Sequence, residues 1–145
     1  MKAAQKAMQG IQGAMKAGTT SMHNYLALHP EVSGSTDKEM RFFTDPQCRR
    51  WIGAYQERFA TGTRFRVEST PFYSKVPCFP GVAERMADLV PDARIVYLVR
   101  DPVDRLVAEY VEQVQWNATG RSLEEELAEP AEPTNALVAS SRYAT

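Results

Sequence analysis

The segment Gly13-Ala14-Met15-Lys16-Ala17-Gly18-Thr19-Thr20-Ser21 places two glycines, one lysine and three consecutive hydroxyl side chains directly before a stretch with helical spacing. Such a loop can turn main-chain N–H groups toward an anion. The glycines permit close approach, the helix start supplies unpaired amides and the positive end of its dipole, and Lys16 can neutralise charge. Phosphate or sulfate is the ligand this chemistry fits.

The Gly-x4-Gly spacing is that of an ATP-type phosphate loop, but that motif continues with lysine and then serine or threonine. Here Thr19 follows the second glycine, and the lysine lies inside the loop at Lys16. This is a phosphate loop of another kind, and a nucleoside-triphosphate kinase is disfavoured. Cys48 and Cys78 have neither CxxC spacing nor companions for a disulfide framework or zinc site, and both read as reduced thiols. No HExxH or EF-hand spacing occurs, and His23 and His29 fall on one short helix without an evident carboxylate partner, so no metal is expected.

The elements that must position the loop follow from periodicity. Met22, Tyr25 and Leu26 recur at helical spacing after Gly18, and Pro30 stops that helix. Between Pro46 and Ala60 a second helix is expected, with Trp51, Ile52, Tyr55 and Phe59 on its core face and Arg49, Glu57 and Arg58 outside. Arg64 to Glu68 alternates as a strand, and Pro71 and Pro77 enforce irregular chain after it. Val82, Arg85, Met86, Leu89 and Val90 form a helical stripe ending at Pro91-Asp92.

Ile95-Val96-Tyr97-Leu98-Val99 reads as a buried parallel strand, passing through Arg100 into a helix capped by Asp101 with Pro102 at its first position. The strand expected before the loop, Ala7 to Gln12, is interrupted by glutamines and a glycine and promises an irregular foundation. Ser122 and Glu125 form a capping box for a short acidic helix, and Asn135 to Thr145 begins another without a clear terminal signal. Strand and helix in alternation imply an α/β domain with a mostly parallel sheet flanked by helices.

The 145 residues suit one domain over 1–145, and 43% hydrophobic with 24% charged residues is a globular balance. Seventeen basic against eighteen acidic side chains give a formal charge of -1, which argues against nucleic-acid binding by bulk charge. No apolar run approaches the roughly 18 residues of a membrane span, and the N-terminus lacks the apolar block of a secretory signal, so a cytoplasmic location is expected.

The loop Lys16-Ala17-Gly18-Thr19-Thr20-Ser21 resembles the 5'-phosphosulfate loop of sulfotransferases that use 3'-phosphoadenosine 5'-phosphosulfate (PAPS). His29-Pro30-Glu31-Val32 through Lys38-Glu39-Met40-Arg41-Phe42-Phe43 is similar to the segment after that loop in bacterial and heparan-type members. Arg94 to Arg105 is similar to the strand, 3'-phosphate arginine and helix start of the same family. Three segments in the family's order outweigh any one of them.

The resemblance implies a P-loop-like three-layer fold, incomplete at the C-terminus, and transfer of a sulfuryl group to a hydroxyl or amine acceptor, a small molecule or a carbohydrate. It implies that Lys16 contacts the oxygen bridging phosphate and sulfur, that Ala17, Gly18, Thr19, Thr20 and Ser21 hold the 5'-phosphate, and that Arg100 binds the 3'-phosphate. Glu39 matches the general base of heparan-type members, with Lys38 beside it. Arg105 reads instead as a helix-surface ion-pair partner. Ala108 stands where the family usually has a serine for the 3'-phosphate, and Ser69 follows Glu68 where lysine is common. The alternative reading is a noncatalytic or truncated homologue retaining only an anion pocket or interaction surface.

Overall fold

The computed structural model describes residues 8–13, 16–75, 78–128 and 136–139, and the chain divides into two compact units. The first, Met1–Gly13 with Gly18–Leu98, contains strands β1 (Met8–Gly13), β2 (Val32–Gly34), β3 (Phe65–Ser69) and β4 (Arg94–Leu98). Its helices are α1 (Thr19–Ala27), α2 (Ile52–Gln56) and α3 (Val82–Leu89), with 3-10 turns at Phe42–Thr44, Cys48–Trp51 and Pro71–Ser74. The second unit, Ala14–Ala17 with Val99–Thr145, contains helices α4 (Pro102–Gln115), α5 (Leu123–Leu127) and α6 (Ala136–Ala139).

The sheet runs in the order β2-β3-β1-β4, and every pairing is parallel, as the alternation of elements implies. β1 lies inside it, with Gly10 opposite Glu68 on one flank and Ile95 on the other. The expectation of an irregular foundation is therefore corrected. A strand paired on both sides has its main-chain hydrogen bonds satisfied whatever its side-chain pattern, and this overrides the weak β propensity of glutamine and glycine. β2 was not anticipated, because three residues carry too short a pattern to register.

The core of the first unit is aromatic. Phe43, Cys48, Tyr55, Phe59, Tyr73, Val82 and Met86 are buried together, with Tyr55 stacked on Phe42 at 4.0 Å and edge-on to Phe43 at 5.6 Å. Burial of each such ring is worth about 2–3 kcal/mol. Trp51, expected in this core, is 59% exposed. The inward stripe is Cys48, Ile52, Tyr55 and Phe59, spaced as a helix requires, and Trp51 falls one position off it. In α1 the buried side chains are Thr19 and His23, while Tyr25 is exposed, and His29 lies beyond the helix.

β4 also departs from expectation. It is parallel, but it sits at the sheet edge, and Ile95, Val96 and Tyr97 are exposed. A continuous apolar run signals a strand but does not reveal its place in the sheet. In the second unit, Asp101 caps α4 by accepting from the Val103 and Asp104 amides at 3.0 and 3.1 Å, as expected. The Ser122–Glu125 capping box on α5 also forms. Arg105, read as a surface residue, is instead completely buried, paired with Glu109 at 2.7 Å and donating to the Leu137 carbonyl on α6. One i,i+4 spacing serves a surface pair or a buried one, and the packing of α6 on α4 decides which.

Candidate functional site

In the first unit, the chain enters α1 through Gly18, whose φ of 90° is open to glycine and strained for other residues. Gly18 occupies the N-cap position, where no side chain accepts from the first turn. The leading amides of a helix have no intrahelical acceptor, so this nine-residue helix presents uncapped N–H groups and the positive end of its dipole at Thr19, Thr20 and Ser21. Thr20 and Ser21 are exposed and Thr19 is buried. This is a donor set that suits a phosphate.

Lys16 and Arg100 both belong to the second unit, and the fold brings them together. Lys16 is held in the left-handed region with φ 65°, and its carbonyl accepts from Arg100 Nη1 at 3.3 Å. The Arg100 guanidinium also lies 4.0 Å from Asp104, and the Lys16 ammonium lies 2.6 Å from Glu112. Ala108, half-buried on α4, offers no hydroxyl. Two sequence segments thus meet within one unit, through the Arg100 guanidinium and the Lys16 main chain. Glu112 was missed in sequence, since nothing in its spacing from Lys16 shows that they meet.

Glu39, in the first unit, sits at a bend where it and Arg41 both have positive φ, 60° and 54°. Its carboxylate lies 2.5 Å from Lys38 Nζ, and both side chains are about one-third exposed. Lys38 and Glu39 open on a pocket of about 390 Å³, lined also by Phe42, Trp51, Ala54 and Arg58. The displacement of Trp51 from the core therefore places an exposed aromatic face in the same pocket as Glu39. His23 on α1 is held below its ordinary pKa by burial and by the charge of Lys38.

Behind this bend lies a polar cluster that the sequence reading did not assign. Glu68, 1% exposed, accepts from Thr70 Oγ1 and Tyr73 OH at 2.6 Å each and from Tyr55 OH at 2.7 Å. Burial raises its pKa against the opposing effect of those hydrogen bonds. The available signal was the run of hydroxyl side chains just after a charged residue in a strand. Among the described residues, no group of three or more His, Cys, Asp or Glu is placed to hold a metal ion. Cys48 is buried and Cys78 exposed, both as free thiols.

A family model described as "Sulfotransferase family" matches residues 41–144. Membrane-associated sulfotransferase kil1 of Dictyostelium discoideum is 30% identical over 116 residues, which cover 77% of this chain and 24% of the relative. Human bifunctional heparan sulfate N-deacetylase/N-sulfotransferase 2 is 35% identical over 114 residues, covering 71% of this chain and 12% of the relative. The crystal structure of a sulfotransferase from Alicyclobacillus acidocaldarius superimposes with a TM-score of 0.77 at 29% identity, over 95% of this chain and 65% of that one. The chain thus spans a quarter or less of the length of these curated relatives and under two thirds of the solved structure. The α/β, P-loop-like fold agrees with that structure.

Proposed function

This chain belongs to the sulfotransferase family, and from that premise we propose that it transfers the sulfuryl group of PAPS to a hydroxyl or amine acceptor. Positioning and charge stabilisation dominate such in-line group transfers. The main-chain amides from Ala17 to Ser21, with the hydroxyls of Thr19, Thr20 and Ser21, take the 5'-phosphate, and Arg100 takes the 3'-phosphate. Glu39 accepts the proton of the acceptor as its oxygen or nitrogen bonds to sulfur. The bond from sulfur to the bridging oxygen breaks, and the electron pair remains on the departing phosphate, where the Lys16 ammonium offsets the growing charge.

The acceptor enters the pocket beside Glu39, and Trp51 offers an apolar face to a sugar or phenol ring there. Charge development at the leaving oxygen is met by the lysine and oriented amides, so the reading calls for no metal.

The observation that supports the reading most directly is the hydrogen bond from Arg100 to the Lys16 carbonyl, because it brings side by side two residues assigned to one nucleotide. Calorimetry with 3'-phosphoadenosine 5'-phosphate (PAP) tests it. Lys16→Ala and Arg100→Ala should each weaken binding by about tenfold or more, the worth of a charged hydrogen bond. Glu39→Gln should bind PAP normally and lose turnover. No binding by the unaltered chain at millimolar PAP would instead support a noncatalytic homologue, the reading that Ala108 favours.

A further inference from the structure

The bend at Glu39 is costly in isolation. Two non-glycine residues with left-handed backbone, Glu39 and Arg41, are each disfavoured by about 1 kcal/mol or more, and such conformations persist only where surrounding structure over-determines them. Here the main chain is tied down at every second residue. The Glu39 amide donates to the Ser69 carbonyl at 3.1 Å, the Arg41 amide to Thr70 Oγ1 at 3.5 Å and the Phe43 amide to Tyr73 OH at 3.3 Å.

Two of these three acceptors are hydroxyls, and a hydroxyl accepts at that site only if its own proton points elsewhere. Glu68 Oε1 receives both protons, from Thr70 and from Tyr73. The direction of the whole chain of hydrogen bonds, from amide to hydroxyl to carboxyl, is therefore set by one buried oxygen. We propose that Glu68 is a positioning residue for sulfuryl transfer: its Oε1 orients the Thr70 and Tyr73 hydroxyls so that they hold the Arg41 and Phe43 amides, fixing the bend that presents Glu39 to the acceptor pocket. The inference rests on Glu39 as the base. Glu68 itself touches no reacting atom.

The same geometry predicts which substitutions are tolerated. Glutamine at 68 keeps a carbonyl oxygen at the Oε1 site and turns its amide toward Tyr55, so both hydroxyls keep their direction. Leucine removes the acceptor. Thr70→Val and Tyr73→Phe each cut one link while leaving nearly the same volume.

The test combines amide hydrogen exchange, PAP calorimetry and PAPS turnover, with phenol and de-N-sulfated heparin as the acceptors tried. Thr70→Val should speed exchange of the Arg41 amide, and Tyr73→Phe that of the Phe43 amide. In both, kcat should fall by about tenfold to a hundredfold, the scale of a small misplacement of a catalytic group, while the PAP Kd changes by less than about twofold. Glu68→Gln should restore near-normal exchange and kcat, and Glu68→Leu should not. Should the leucine variant fail to fold, the Thr70 and Tyr73 variants carry the comparison alone. Unchanged exchange at both amides, or faster exchange with unchanged kcat, overturns the proposal. Failure of the base assignment is distinguishable, since it appears as undiminished kcat in Glu39→Gln, and the exchange rates do not involve that carboxyl group.

Discussion

The Lys16 ammonium lies 2.6 Å from the Glu112 carboxylate, so the cation assigned to the leaving oxygen is already engaged. Both side chains are about one-third exposed, and a pair of that kind is worth up to about 1 kcal/mol. Removing the competitor with Glu112→Gln should tighten PAP binding by up to about fivefold at low salt, with the gain shrinking as salt screens the pair. Calorimetry at two ionic strengths checks both effects. Weaker binding in Glu112→Gln would mean that the carboxylate holds Lys16 in place for the nucleotide.

Much of this fold was legible because local chemistry and tertiary role agree. Gly18 before three hydroxyl residues opens a helix, Asp101-Pro102 opens another, and Ser122 with Glu125 opens a third, each through groups within a few residues. Illegible features depended on distant packing. Trp51 and Tyr55 look alike as ring-bearing residues near one helix, yet Cys48 and Ile52 fix a stripe that excludes the tryptophan. The exposed edge position of β4 and the burial of Arg105 beneath α6 depend on which element packs where. The loop was found by residue type and Arg100 by resemblance to the family, but their contact through the Lys16 carbonyl spans 84 positions and leaves no local signal.

Glu109→Ala should destabilise the chain severely. Glu109 is 2% exposed and pairs with the completely buried Arg105, so the substitution strands a guanidinium in the interior. Breaking a buried pair from one side costs about 3–5 kcal/mol, whereas replacing both partners by apolar residues of similar volume is often neutral. Urea unfolding of Glu109→Ala beside Arg105→Met/Glu109→Leu measures the contrast. Equal losses in the two variants would show that the ion pair itself, not the stranded charge, supplies the stability.

His23 should make the fold sensitive to mild acid. Burial, then the charge of Lys38, lowers its pKa from 6.5, so between the folded value and 6.5 the unfolded chain binds more protons than the native one. Stability from this group is therefore complete above about pH 6.5 and declines as pH falls through that window. Melting curves from pH 7 to pH 5 should show a smaller loss in His23→Leu than in the unaltered chain. Parallel losses would assign the acid sensitivity to other groups.

Glu68 should have the opposite signature. Burial raises its pKa above 4.5 despite three hydroxyl donors, so between 4.5 and the folded value the native chain holds more protons than the unfolded one. Its stabilising contribution is thus fully present below 4.5 and is lost as pH rises through the folded value. Glu68→Gln is neutral throughout and keeps an acceptor for Thr70 and Tyr73, so its melting temperature relative to the unaltered chain should climb from pH 4 to pH 7. A relative melting temperature that falls over that range would mean that the three hydroxyls outweigh burial and hold Glu68 as an anion.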